Sequence, residues 1–568
     1  MAICGHFALA QDGQGVYQTA RLRKRDAPDV VDQSGSLTLG NGAGPQGGAG
    51  KALSANRHYL ATVCVVYLYS LFLPAMINLG SVALSGPRIV LLIMFVPMLA
   101  DLFSGRLGKI YPVDWLLFAF IGWATISTAK NNPEIVIQSI GSTSIEFIGG
   151  YLMGRVYVRT PEAFAAMIRV GFIMILITLP FGLVEMKTGV AFWPKVFRGL
   201  PLFMAWEDVA NPTRGGLERA QVFFSHPIHQ GLFCSMFFSL VFVGLRGAAS
   251  LVKRIIMTAA VVVGTVMALS SAPLLSTMLQ IGLISWAFIF RKHPGRWWYL
   301  LGLFALMYVT IDMLSNRTPS KVLMTYATFS PQTAYYRAII NEWAIYNIWQ
   351  NPFLGLGFRD WVRPDYMLRG SVDNFWLLTA MRYGIPALLI LGIAYADAVF
   401  RVGLAKTTAG TRADNMRLAW TITFAGLSFV LYTVHVWTSI YSFTFFLLGA
   451  GLWIPGWVRD QAAVNTAPES QAAPQPDLDA PRGGILYSRP GIAAQLNRSR
   501  AEDPAPERDA GLLRSRYEGE TSPEAGFSRT AEEGSQRATP ESDSAMNFSR
   551  YENTVRPRKT DDGPKRKG

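Results

Sequence analysis

The chain has 568 residues, of which 51% are hydrophobic and only 16% charged, with a formal net charge of +14 and a sequence pI near 9.6. A soluble domain carries nearer a quarter charged residues, and here the apolar residues come in long blocks between short basic turns, which excludes a soluble protein and points to an integral membrane one. The positive charge is largely what the positive-inside rule asks of such a chain, so it argues for no nucleic-acid partner. Cys4, Cys64 and Cys234 are widely spaced, and no CxxC or HxxxH pairing occurs, so neither a disulfide framework nor a metal or other cofactor is expected.

Taken in order, residues 1–56 are rich in Gly, Ala, Gln and Ser, with a basic patch at Arg21, Arg23, Lys24 and Arg25. The opening MAICGHFALA lacks the basic start of a secretory signal. A disordered N-terminal tail is expected there. Apolar blocks follow at 58–79, 85–103, 113–128, 135–157, 163–185, 228–245, 253–270, 273–290, 297–314, 375–400, 416–434 and 436–456. They predict an all-α polytopic membrane domain over 57–458, with about 12 transmembrane helices. Residues 459–568, rich in Pro, Ala, Ser, Glu and Arg, read as a second disordered tail.

Short basic turns at Arg106/Lys109, Arg155/Arg159, Arg246/Lys253/Arg254, Arg291/Lys292/Arg296 and Arg401/Lys406/Arg412 place both termini in the cytoplasm. Two long loops, about 186–227 and 315–374, then reach the opposite side. Both carry arginines against the charge rule, and an anionic ligand is the simplest reason to keep them.

The first loop reads ERAQVFFSHPIHQG at its end, with Arg214 and Arg219 ahead of His226 and Pro227. Pro227 marks a helix start, and a helix N-terminus favours a phosphate. Arg219 snorkelling to the interface and His226 capping the helix are the structural alternatives.

In the second loop, Tyr336, Ile339, Ile340, Trp343 and Asn347 form one stripe of an amphipathic helix, with Arg337 beside it. Pro352 stops that helix, and Gly355 and Gly357 permit a tight loop. Arg359, Asp360, Arg363, Asp365 and Arg369 follow. Asp373 and Asn374 open the next helix, where either is a good cap and Asp373 is also a candidate base. Arg382 inside that helix, and Glu146 inside the fourth block with Arg155 its nearest basic group in sequence, are charges that function or helix packing must explain.

Three of these stretches, ERAQVFFSHPIHQG, YYRAIINEWAIYNIWQNPFLGLGF and VDNFWLLTAMRYGIPALL, together resemble the O-antigen ligase and polysaccharide polymerase superfamily of bacterial inner membranes. The resemblance covers roughly 58–456 and neither tail. SSAPLLSTMLQ is similar to the family's Ser/Arg segment but lacks its arginine. It implies a metal-independent glycosyltransferase acting at the periplasmic face, with amphipathic helices in a large periplasmic loop. The donor would be an oligosaccharide on undecaprenyl pyrophosphate, with membrane lipids, a chain-length regulator and a flippase as candidate partners.

Arg219 and Arg337 match the family's two arginines and would stabilise the departing pyrophosphate. Asp373 stands where ligases of the family place a histidine, which leaves the base open between Asp373 and His226 and favours a repeat-unit polymerase over a ligase. Arg214, Tyr336, Arg359, Asn374 and Arg382 complete the candidate set as substrate-binding residues. The non-enzyme rival is a lipid-linked oligosaccharide flippase or transporter.

Overall fold

The computed structural model describes residues 60–79, 82–207, 213–316, 322, 331–367 and 370–466. The tail expected at 1–56 lies outside them, as do residues 467–568 of the tail expected at 459–568 and Arg369. The chain is mostly helical. Its elements are α1 (Thr62–Ser70), β1 (Ala75–Leu79), β2 (Val82–Ser85), α2 (Gly86–Phe103), α3 (Pro112–Asn131), α4 (Val136–Ser144), α5 (Gly150–Tyr157), α6 (Pro161–Thr188), α7 (Phe192–Arg198), β3 (Met204–Ala205), α8 (Pro227–Ser239), α9 (Leu251–Met267), α10 (Ser271–Ile289), α11 (Arg296–Leu314), α12 (Pro331–Gln350), α13 (Phe375–Gly403), α14 (Arg412–Thr433), α15 (Thr438–Gly449) and α16 (Trp453–Thr466). Helix α16 therefore runs eight residues past the expected domain end at 458.

Local chemistry explains the boundaries. Pro161 opens α6 while the Thr160 hydroxyl accepts from Ala163 N at 3.1 Å, and Gly189 closes it in the left-handed region (φ 70). Among the described residues, eight helical stretches are long and apolar enough to cross a membrane: α2, α3, α6, α8 with its extension to Gly244, α10, α11, α13, and α15 continuing into α16. The other four expected blocks fall short of that measure. The first gives a nine-residue α1 and then a β-hairpin. The fourth is interrupted by a π-helical turn at Ile145–Gly149, α9 has 17 residues, and α14 is too polar, with Arg412, Asp414 and Arg417 near its start.

α8 is almost wholly buried and forms the centre of the bundle, whereas α11 buries none of its residues. Large apolar side chains stand exposed on α2 (Ile93, Val96), α9 (Ile256), α10 (Phe288) and α11 (Met313, Leu314). So wide an apolar exterior is stable only in a lipid medium.

One end of the bundle carries the irregular chain. There β1 pairs antiparallel with β2 and with β3, tying the start of α2 to the 189–226 loop. At the same end α13 is broken. Gly384 (φ 85, ψ 172) leaves helical geometry, and residues 352–357 fill the gap. Leu356 N donates to Met381 O at 2.7 Å, Gly357 N to Arg382 O at 2.9 Å, and Ile385 N to Pro352 O at 2.7 Å. α3 braces the inserted strand: Ser127 Oγ donates to Leu354 O at 2.5 Å, and Asn132 Oδ1 accepts from Phe358 N at 2.8 Å. Gly355 (φ 63) and Gly357 (φ 67) allow the close approach the sequence anticipates.

Glu146 pairs with Arg88 at 2.7 Å rather than with Arg155, which lies 3.5 Å from Asp114. The π-helical turn rotates Glu146 towards α2, and Arg155 is taken up by the start of α3. These two charges are explained by packing.

A side chain at Gly384 would place its Cβ 2.0 Å from Phe353 O. Gly384→Ala should destabilise the protein by roughly 3 kcal/mol, read as a lowered unfolding temperature in detergent. Gly392→Ala, in open space on the same helix, should not. Equal behaviour of the two would refute this account of the break.

Candidate functional site: an arginine-lined face

Helix α9 ends inside the protein and leaves carbonyls without intrahelical partners. The first arginine loop supplies them. Ala220 N donates to Met267 O at 3.0 Å, Arg219 Nε to Ala268 O at 3.2 Å, and Arg214 Nη1 to Leu269 O at 2.5 Å. Buried Glu185, near the end of α6, holds the loop's other side, accepting from Gln221 N at 2.8 Å and Val222 N at 3.0 Å. Each arginine is thus anchored to the scaffold through a backbone carbonyl. Burial first, and the neighbouring Arg214 charge second, bring the pKa of Arg219 down to about 9, so it stays cationic at pH 7.

Arg337 comes from the other loop, on α12. Its side chain is 11% exposed, with Nε 4.0 Å from Asp373 Oδ2. That Nε has no hydrogen-bond partner among the described residues. Burial lowers the pKa of Arg337 and the Asp373 charge opposes the shift. Arg214 is lowered by burial and then by the charge of Arg337. Arg214 therefore stands within electrostatic reach of both Arg219 and Arg337, and the two loops meet on one face.

A small cleft there is lined by Arg337, Ile340, Asn341, Asp373, Asn374, Tyr432 and Thr433. Asn374 caps α13, its Oδ1 accepting from Leu377 N at 3.0 Å. The cap is therefore Asn374, and Asp373, half exposed, is left facing Arg337. This separates the two roles that the sequence left joined.

His226 caps α8. Its Nδ1 accepts from Ile228 N at 3.1 Å, which puts the ring proton on Nε2. Burial, then Arg219, then His229 hold its pKa well below the ordinary value. A neutral ring whose acceptor nitrogen is already used is a poor base.

Four helices begin around this face: α8 after His226, α10 after Ser270, α13 after Asn374 and α15 after Trp437. Their N-terminal dipoles add to the guanidinium charge and favour an anion. Val222, Leu269 and Thr438, the non-glycine residues with positive φ among those described, all lie in the segments that frame it. Such strain is held only where surrounding structure over-determines it.

Two expected residues lie apart. Tyr336 is half exposed rather than packed on the stripe, and it does not line the cleft. Arg359 donates to Asn131 Oδ1 at 2.5 Å, on α3, and does not line the cleft. Arg382 lies over the Phe358 ring at 4.8 Å, and its charge bears on His435. Sequence reasoning missed Tyr432, Thr433, His435 and Trp437. The signal was the polar-aromatic YTVHVW where two blocks are separated by one residue, too short to be read as more than a turn.

No profile of a known protein family matches the chain, and no curated protein matches it significantly.

Asn374→Ala should cost about 1 kcal/mol through loss of the cap. Asp373→Asn, at a half-exposed position, should shift the unfolding temperature less. A larger shift for Asp373→Asn would make it the structural residue of the pair.

Proposed function

We propose that the chain is a membrane glycosyltransferase that polymerises undecaprenyl-pyrophosphate-linked oligosaccharide repeat units at the periplasmic face of a bacterial inner membrane. The observation that carries this reading is the ion pair of Arg337 with Asp373 at 4.0 Å in a cleft that Asn374 and Thr433 also line, with Arg214 in electrostatic reach of both Arg219 and Arg337. Cations that repel each other in a partly buried place are stabilised by a multiply charged anion, and a pyrophosphate supplies one. An acceptor hydroxyl attacks the anomeric carbon of the donor and gives its proton to the Asp373 carboxylate. The carbon–oxygen bond to the pyrophosphate breaks, its electron pair stays on the leaving oxygen, and the guanidinium groups stabilise that charge. His226 donates from Nε2.

The topology in this proposal has twelve crossings, with α4–α5 and α15–α16 each counted as one, both tails cytoplasmic and both arginine loops periplasmic. In its support, the basic turns bind one another at the other end of the bundle: Arg155 Nη2 donates to Lys109 O at 3.1 Å, Arg159 Nη1 to Arg106 O at 2.9 Å, and Arg412 meets Glu162 at 3.2 Å. One observation favours the flippase rival: a helix broken mid-course, as α13 is at Gly384, is a common transporter device.

Protein in nanodiscs, given undecaprenyl-pyrophosphate-linked oligosaccharide, should lengthen it without ATP. Arg337→Ala and Arg219→Ala should each lower the rate about 100-fold or more at unchanged protein level. Asp373→Asn should fall as far, and His226→Gln less, because a donor is lost rather than the base. Transfer only to lipid A-core makes the protein a ligase. Movement across the bilayer without new bonds makes it a flippase, and either result discards the polymerase.

A further inference from the structure

The link between α14 and α15 threads the middle of the arginine face. Val434 (φ −142, ψ 139) and Trp437 (φ −144, ψ 169) are extended, so side chains alternate along it. Val434 and Val436 are buried in the core. His435 and Trp437 take the other side. The His435 ring lies nearly parallel to Phe375, with centroids 6.2 Å apart, and to Trp437 at 5.8 Å. The Trp437 ring is in turn 5.9 Å from His226. The pair thus spans from the start of α13, beside Asp373, to the start of α8, beside Arg219. Tyr432 and Thr433, just before the link, line the cleft with Arg337.

His435 Nδ1 is buried and has no hydrogen-bond partner among the described residues. Buried polar atoms are ordinarily paired, and an exception at a site calls for a ligand atom. Burial, then the charges of Arg382 and His229, hold its pKa well below the ordinary value, so the ring is neutral at pH 7. A neutral imidazole offers one donor and one acceptor, which suits a hydroxyl better than a phosphate. Flat aromatic faces beside it suit the C–H face of a sugar ring.

We propose that the Tyr432–Trp437 stretch is a sugar subsite, in which the orphan nitrogen of His435 hydrogen-bonds a hydroxyl of the sugar carried on the pyrophosphate lipid. This rests on reading the arginine face as the pyrophosphate site, and adds a residue that determines which sugar is accepted.

The test is binding to protein in nanodiscs, with undecaprenyl pyrophosphate and its glucosyl, galactosyl and N-acetylglucosaminyl derivatives as probes. The wild type should bind at least one sugar-bearing lipid more tightly than the bare one. His435→Phe keeps the stacked ring and removes the nitrogens, and should weaken that lipid about tenfold while leaving the bare lipid unchanged. His435→Gln should recover part of the loss, and Arg337→Ala should weaken every probe. A wild type without sugar preference, or a His435→Phe variant that keeps the preference or loses the bare lipid equally, overturns the subsite and leaves the phosphate reading standing. A wild type that binds no pyrophosphate lipid at all sinks both.

Discussion

A helix that stops or breaks inside an apolar medium leaves carbonyls and amides that no water can reach, and each must find a partner within the chain. In this protein those partners are the irregular segments at one end of the bundle. Ala220 N meets the last carbonyl of α9 and Arg219 and Arg214 the two that follow it, His226 and Asn374 meet the first amides of α8 and α13, and residues 352–357 fill the break in α13. The candidate site is assembled from the groups that close these ends. Placement of the arginines follows from backbone satisfaction, which brings their charges to one face.

Electrostatics give that face its character. Arg214 feels Arg337, and Arg219 feels Arg214, so like charges are held near one another in partial burial. Helix N-termini point the same way. Such an arrangement is unfavourable when empty and is relieved by an anion, which is the logic of a preorganised site. The single-residue offset between Asp373 and Asn374 matters as much: the amide takes the cap, and the carboxylate faces Arg337.

The two intramembrane charges that drew attention have different explanations. Glu146 is paired with Arg88, a packing role, because a π-helical turn rotates it onto α2. Arg382 lies against Phe358 beside the break in α13, close enough for its charge to reach His435. Residue type alone predicted that both would matter. Partner identity depended on a helical irregularity and on a contact 58 residues away.

Composition and block pattern alone determined that this is a helical membrane protein, because lipid demands long apolar segments whose backbones satisfy themselves, and that demand is written locally in the chain. The helix starts at Pro227 and Asn374 and the glycine loop at 355–357 were legible for the same reason: caps and turns depend on near neighbours. Only the tertiary structure decided that the first apolar block bends into a hairpin, that Tyr336 and Arg359 stand apart from the arginine face, and that Tyr432, Thr433, His435 and Trp437 belong to it. Those outcomes depend on contacts between segments as far apart as 226 and 437, and no local pattern records which distant surface a side chain will meet.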